Sequence, residues 1–262
     1  MDSKKPDEIV NDLVQLGVHK AHSASSELLL KGFQSGALLG IATVLAYTVA
    51  VQSHLYFLGA LAFPVGFAII ILIGYELVTS NFAIVPMAWL NKQISFKEIL
   101  RNWLLVFIGN LFGSLFFATL FFIYISKMGK NFDNEIIQKI IAVGEDKTIV
   151  YKNLGALGLL ILFVKAFLCN WMVTMGGVMG NASSSTIGRI VALWLPVFTF
   201  FVLGLEHSVV NMFVIPAAIM LKANISITDW WLWNQIPATI GNIVGGFLMT
   251  GLSLYVAFGR KK

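Results

Sequence analysis

Two stretches of the chain place groups that can bind or move a proton inside otherwise apolar sequence. Residues 74–89 carry Glu76 and Asn81, and residues 204–219 carry Glu206, His207 and Asn211. At one constant offset they share Gly74/Gly204, Glu76/Glu206, Asn81/Asn211 and Pro86/Pro216. A carboxylate surrounded by hydrocarbon must be paired, hydrogen-bonded or neutral, so both glutamates need partners. His207 is the only histidine inside an apolar run, and its ordinary titration lies near neutral pH. It can therefore supply a hydrogen bond, a charge or a proton. Lys165 adds an ammonium flanked by LFV and AF, where it serves either as the ion-pair partner of Glu76 or Glu206 or as a positive potential for a passing anion.

The elements that hold these groups follow from composition and length. The 262 residues are 58% hydrophobic and 12% charged, with a mean hydropathy of +0.82, which is the composition of a multi-span helical membrane protein. Apolar runs cover about 28–51, 55–90, 102–126, 154–179, 188–221 and 230–258. As one helix, 55–90 would reach roughly 54 Å at ~1.5 Å per residue, across a hydrocarbon core of ~30 Å. It must be broken, and Gly74 to Ser80 is the place; the run 188–221 breaks in the same way at Gly204 to Ser208. Backbone groups freed there cannot face lipid, so the breaks are expected to be buried or to line a cavity.

The repeat extends past the breaks, because Gly109, Asn110 and Gly113 match Gly241, Asn242 and Gly245, and Lys31 matches Lys165. The glycine pairs are read as sites of close helix approach. Three spans per half is an odd number, so the second half enters the membrane upside down. The expected fold class is an all-α membrane protein of six transmembrane helices in a 3+3 inverted repeat, aquaporin-like, with spans 2 and 5 broken. Residues 1–26 read as an amphipathic N-terminal helix on the membrane surface, and 27–262 as the six-span channel domain. The terminal side holds ten Lys/Arg, among them Arg260, Lys261 and Lys262, against six on the other, which puts both termini in the cytoplasm of a multi-pass cell-membrane protein.

Half-helices resuming at Ser80 and Ser208 would aim their positive ends at the centre and favour a small anion. Thr79, near the first break, offers a hydroxyl to a solute and a cap for its half-helix. Glu76 and Glu206, with Asn81 and Asn211, are assigned structural roles at the breaks: the carboxylates accept freed amides or fix Lys165, their charge turned from the path. Phe63 and Phe200 bracket the breaks as candidate constrictions. Cys169 is the only cysteine, so neither a disulfide nor a multi-cysteine metal site is expected. No metal, cofactor, nucleic-acid partner or enzymatic activity is expected; the partners are membrane lipid and a small anion.

GLEHSVVNMFVIP, from Gly204, resembles the G-[FY]-E-H-S-[IV]-A-N-M-F signature of the formate/nitrite transporter family. FVKAFLCNWMV resembles its F-K-G-x-x-C-N-W-L-V stretch, and GYELVTSN its break G-x-E-L-F-T-[GS]-N. The resemblance implies a homopentamer with one pore per subunit that passes small monovalent anions such as formate, nitrite or hydrosulfide, sometimes with a proton by way of a central histidine. By position it nominates His207, Thr79, Leu77, Lys165 and Asn170 for the substrate pathway and Phe63, Phe67 and Phe200 for its constrictions. Thr174, Val78 and Phe67 depart from the usual residues. Two other readings compete: a neutral-solute channel of aquaporin type, for which the paired Asn-Pro-Ala turns are missing, and a strictly proton-coupled monocarboxylate carrier. An intramembrane hydrolase using Ser208 lacks the G-x-S-x-G elbow.

Overall fold

The computed structural model describes residues 3–259, and the basic tail Arg260, Lys261 and Lys262 counted above lies outside the described residues. No strand ladder occurs among those residues. The chain runs through α1 (Pro6–His22), α2 (Ser25–Ser53), α3 (Tyr56–Ala62), α4 (Pro64–Ile73), α5 (Val78–Leu90), α6 (Phe96–Ile125), α7 (Glu135–Asp146), α8 (Ile149–Leu154), α9 (Ala156–Ala182), α10 (Thr186–Val202) and α11 (Ser208–Met220). A final helical run, Ile227–Gly259, contains π-helical turns at Trp231–Gln235, Phe247–Leu252 and Tyr255–Gly259.

Among the described residues, five runs are long and apolar enough to cross a membrane: Ser25–Ser53, Tyr56–Ile73, Phe96–Ile125, Ala156–Ala182 and Ile227–Gly259. The expected second span continues beyond its break as α5, and the expected fifth divides into α10 and α11. Both breaks have one cause. Gly74 and Gly204 adopt left-handed φ angles of 82° and 61°, a conformation that closes a helix and that side chains disfavour. A Cβ on either would meet nothing within 4 Å, so glycine is required by φ rather than by space. Three non-helical residues follow each, and the next helix begins at Val78 or Ser208. The first therefore resumes two residues earlier than expected. Leu77 and His207 are the matching N-cap residues, with φ/ψ of −117°/118° and −103°/115°. Thr79, expected to cap, lies inside α5.

The glycines of the later spans do bring backbones together. A Cβ at Gly113 would overlap the carbonyl of Phe33 on α2, and one at Gly245 would overlap that of Phe167 on α9. Gly113→Val is thus expected to lower the melting temperature of the detergent-solubilised protein, at an overpacking cost of about 1–3 kcal/mol.

Two elements differ from expectation. The apolar face of α1, assigned to the membrane surface, is buried in the protein: Val10, Leu13 and Val14 pack against Ile84, Met87 and Val178. Residues 127–153, which fall between two apolar runs and are rich in lysines and acids and so expected to be loop, contain α7, capped by the Asn134 side chain and buried through Ile137, Ile140 and Gly144 against α11. These two helices are counterparts. Gly17 of α1 meets Ile84 O and Ala88 of α5, while Gly144 of α7 meets Val214 O and Ala218 of α11. Each half therefore carries its own packed accessory helix ahead of its spans.

Candidate permeation site

The bonds around the two breaks are made twice. The freed amide of Val78 donates to Asn110 Oδ1 at 3.0 Å, and that of Ser208 to Asn242 Oδ1 at 2.8 Å. Asn110 Nδ2 donates to the carbonyls of Gly32 and Glu76, and Asn242 Nδ2 to those of Ala166 and Glu206. One asparagine thus ties a break to two helices. Both had been noted only as neighbours of packing glycines; the signal for their role was their matching position beside glycines inside apolar spans. Asn242→Ala would orphan the Ser208 N–H and the Glu206 carbonyl at ~1–3 kcal/mol for each group left without a partner, whereas the Ala166 carbonyl keeps its bond within α9. A large drop in melting temperature and in recovery of assembled protein is expected.

The glutamates do not accept the freed amides, which corrects that expectation. Glu76 Oε1 accepts from Lys20 Nζ at 2.7 Å, and its Oε2 from Asn81 Nδ2 at 2.7 Å. Glu206 Oε2 accepts from Lys147 Nζ at 2.9 Å and from Asn211 Nδ2 at 2.8 Å, and its Oε1 from the Tyr151 hydroxyl at 2.8 Å. Asn81 also donates to Asn102, which bonds the Lys20 carbonyl; Asn211 donates to Asn234, which bonds the Lys147 carbonyl. Lys20 and Lys147 escaped the sequence reading. They stand at the same place in G-x-x-K pairs, Gly17/Lys20 and Gly144/Lys147, and Lys20 falls on the helical stripe of Val10, Leu13, Val14 and Gly17.

A cavity opens at each break. One of about 350 Å³ is lined by Lys147, Tyr151, Lys165, Phe200, Glu206 and His207, among others, and one of about 300 Å³ by Lys20, Lys31, Glu76, Leu77, Ser80 and Arg189. Tyr47 of α2 lines the first and Lys31 the second, sixteen residues or ~24 Å apart on one helix. The cavities therefore lie toward opposite ends of the bundle. Both carboxylates line cavity walls, so their charge is neutralised in place instead of turned away.

Between the cavities the packing is closed. Thr79 Oγ1 and His207 Nε2 are 3.1 Å apart, joining α5 to the second break, and both residues are buried. His207 Nδ1 accepts the Val210 amide at 3.1 Å, which leaves the ring proton on Nε2 and makes Nε2 the donor to Thr79. The Thr79 hydroxyl proton is then free for another acceptor. Phe200 stacks on the imidazole at 5.5 Å, and Phe63 packs edge-on against Phe200 at 5.6 Å. Phe67 is buried beside Gly176. Asn170 donates to Thr79 O and Asn242 O, and its Oδ1 has no partner. Lys165 stands apart from the others on the cavity wall, about one-third exposed, 3.9 Å from Glu206 Oε1. His207, Thr79, Asn170, Leu77 and Phe200 are thus brought to the level of the breaks, with Phe63 packed against Phe200.

Comparison with known proteins fits this architecture. The formate/nitrite transporter model matches residues 7–256, and the "uncharacterized transporter YrhG" of Bacillus subtilis (strain 168) is 34% identical over 100% of this chain and 96% of its own. The chain belongs to the formate/nitrite transporter family. It is a multi-pass membrane transport protein and not an enzyme. Among other family members, the formate channel BtFdhC of Bacillus thuringiensis is 28% identical over 98% of this chain and 96% of its own. A solved pentameric formate channel with formate bound superposes with a TM-score of 0.73 at 27% identity, covering 90% of this chain and 98% of that one.

Proposed function

We propose that this protein is a channel for small monovalent anions, with formate as principal substrate and nitrite and hydrosulfide as further ones. It works as a homopentamer with a pore in each subunit, in the cell membrane, both termini in the cytoplasm. The duplicated break contacts and the cavities at opposite ends support the inverted 3+3 repeat. The observation that carries the function is the 3.1 Å contact between Thr79 and His207 at the neck between two cavities that both carry lysines.

An anion enters either cavity hydrated and drawn by Lys31 and Arg189 or by Lys165. At the neck it must shed water beside Leu77 and Phe200, and the Thr79 hydroxyl and the His207–Thr79 pair offer hydrogen bonds in exchange. For His207 to hand over a proton and remain neutral, it must first gain a second one at Nδ1. That breaks the bond to the Val210 amide, so proton transfer is coupled to loosening the start of α11.

Purified protein in proteoliposomes tests this reading by comparing stopped-flow entry of formate, nitrite, hydrosulfide, lactate and glycerol. Formate is expected to enter fastest and glycerol no faster than in empty liposomes; glycerol entry that outruns formate would contradict it. Native mass spectrometry is expected to give five chains per particle.

A further inference from the structure

Glu206 has two lysines within reach and uses one. Its carboxylate, 1% exposed, is filled by Lys147 at 2.9 Å, Tyr151 at 2.8 Å and Asn211 at 2.8 Å, with Asn234 Nδ2 at 3.3 Å. Lys165 Nζ at 3.9 Å is beyond hydrogen-bond range. Lys147 is held where it is by rigid parts. It follows α7 directly, its carbonyl accepts Asn234 Nδ2 at 2.8 Å, and Gly144 sets α7 against Ala218 of α11. Around this cavity Lys139, Lys147 and Lys165 face Asp146 and Glu206, and His207 is in its neutral form; one positive charge is therefore left over. It resides with Lys165, the more exposed lysine of the pair competing for Glu206, its side chain 34% exposed against 14% for Lys147.

We propose that Lys147 is a positioning residue of the anion path: by occupying Glu206 it keeps the Lys165 ammonium from closing onto that carboxylate and so leaves it available to anions. The inference rests on the small-anion reading above. Without Lys147, a movement of ~1 Å would bring Lys165 into hydrogen-bond range of Glu206. The cavity would then hold as many carboxylates as ammoniums.

The test uses full-length protein in proteoliposomes, with assembly checked by size-exclusion chromatography. In Lys147→Met, formate flux is expected to fall about tenfold, with the half-saturating formate concentration rising, as for loss of ~1.4 kcal/mol of attraction. Adding Glu206→Gln removes the carboxylate that captures Lys165 and restores the wild-type net charge, so the double variant should return to within about twofold of wild-type flux. Lys147→Arg, which keeps the charge, should stay near wild type. Unchanged flux in Lys147→Met overturns the proposal. So does reduced flux that Glu206→Gln fails to restore in an assembled protein, since Lys147 would then merely seat α7. Absence of formate flux in the wild type would instead remove the anion reading itself.

Discussion

Lys165→Ala is expected to lower formate flux about tenfold while the protein assembles and melts nearly as the wild type does. Its nearest carboxylate, Glu206, is already filled by Lys147, Tyr151 and Asn211, and Lys165 stands off at 3.9 Å on a partly exposed wall. An ion pair of that kind contributes only ~0–1 kcal/mol to stability. Its effect on an anion in the cavity is larger: at ~6 Å and an effective dielectric constant of ~40, the attraction is ~1.4 kcal/mol, or a factor of about ten in occupancy. Parallel flux and thermal-melting measurements separate the two roles. Wild-type flux with a clearly lowered melting temperature would mean that Lys165 is a structural partner of Glu206 and no part of the path.

How much of this site the sequence discloses depends on how unusual each residue's demand is. The breaks are legible because glycine, carboxylate and amide recur at one spacing inside apolar runs too long for one crossing, and few structures other than an interrupted helix satisfy that. The placement of the caps is less so, since helix starts shift by a residue or two without changing composition; Leu77, not Thr79, matches His207. Lys20 and Lys147 were hidden for a different reason. Each sits in a segment polar enough to pass for surface, and the second segment resembles loop because Ile136, Ile137, Ile140 and Ile141 lie among charges in a run too short to span a membrane. The match between Gly17/Lys20 and Gly144/Lys147 rests on two residues, and it becomes persuasive only when both lysines are seen on equivalent carboxylates. The π-helical turns in Ile227–Gly259 have no sequence signal that we can identify.

His207→Asn is expected to abolish the pH dependence of formate uptake with the fold retained. The imidazole does two jobs that asparagine can copy: Nδ1 accepts the Val210 amide at the start of α11, and Nε2 donates to Thr79. Asparagine is among the better N-cap residues and carries a donor of similar reach, so α11 keeps its cap and the neck keeps a hydrogen bond. It cannot titrate. In the wild type, lowering the pH favours the doubly protonated ring, above all with an anion beside it, and a proton handed to that anion cancels its charge before it passes Phe200 and Leu77. The variant can only conduct the bare anion, which pays the full desolvation cost at the neck. Uptake driven by a pH gradient should therefore collapse, while a slower flux of the anion itself remains.

The most direct test is formate flux into proteoliposomes as a function of external pH, wild type beside His207→Asn at matched protein content. The wild-type rate is expected to rise as the pH falls, whereas the variant's rate, corrected for empty liposomes, stays flat. Superimposable pH profiles would contradict the account and reduce His207 to a buried cap of α11.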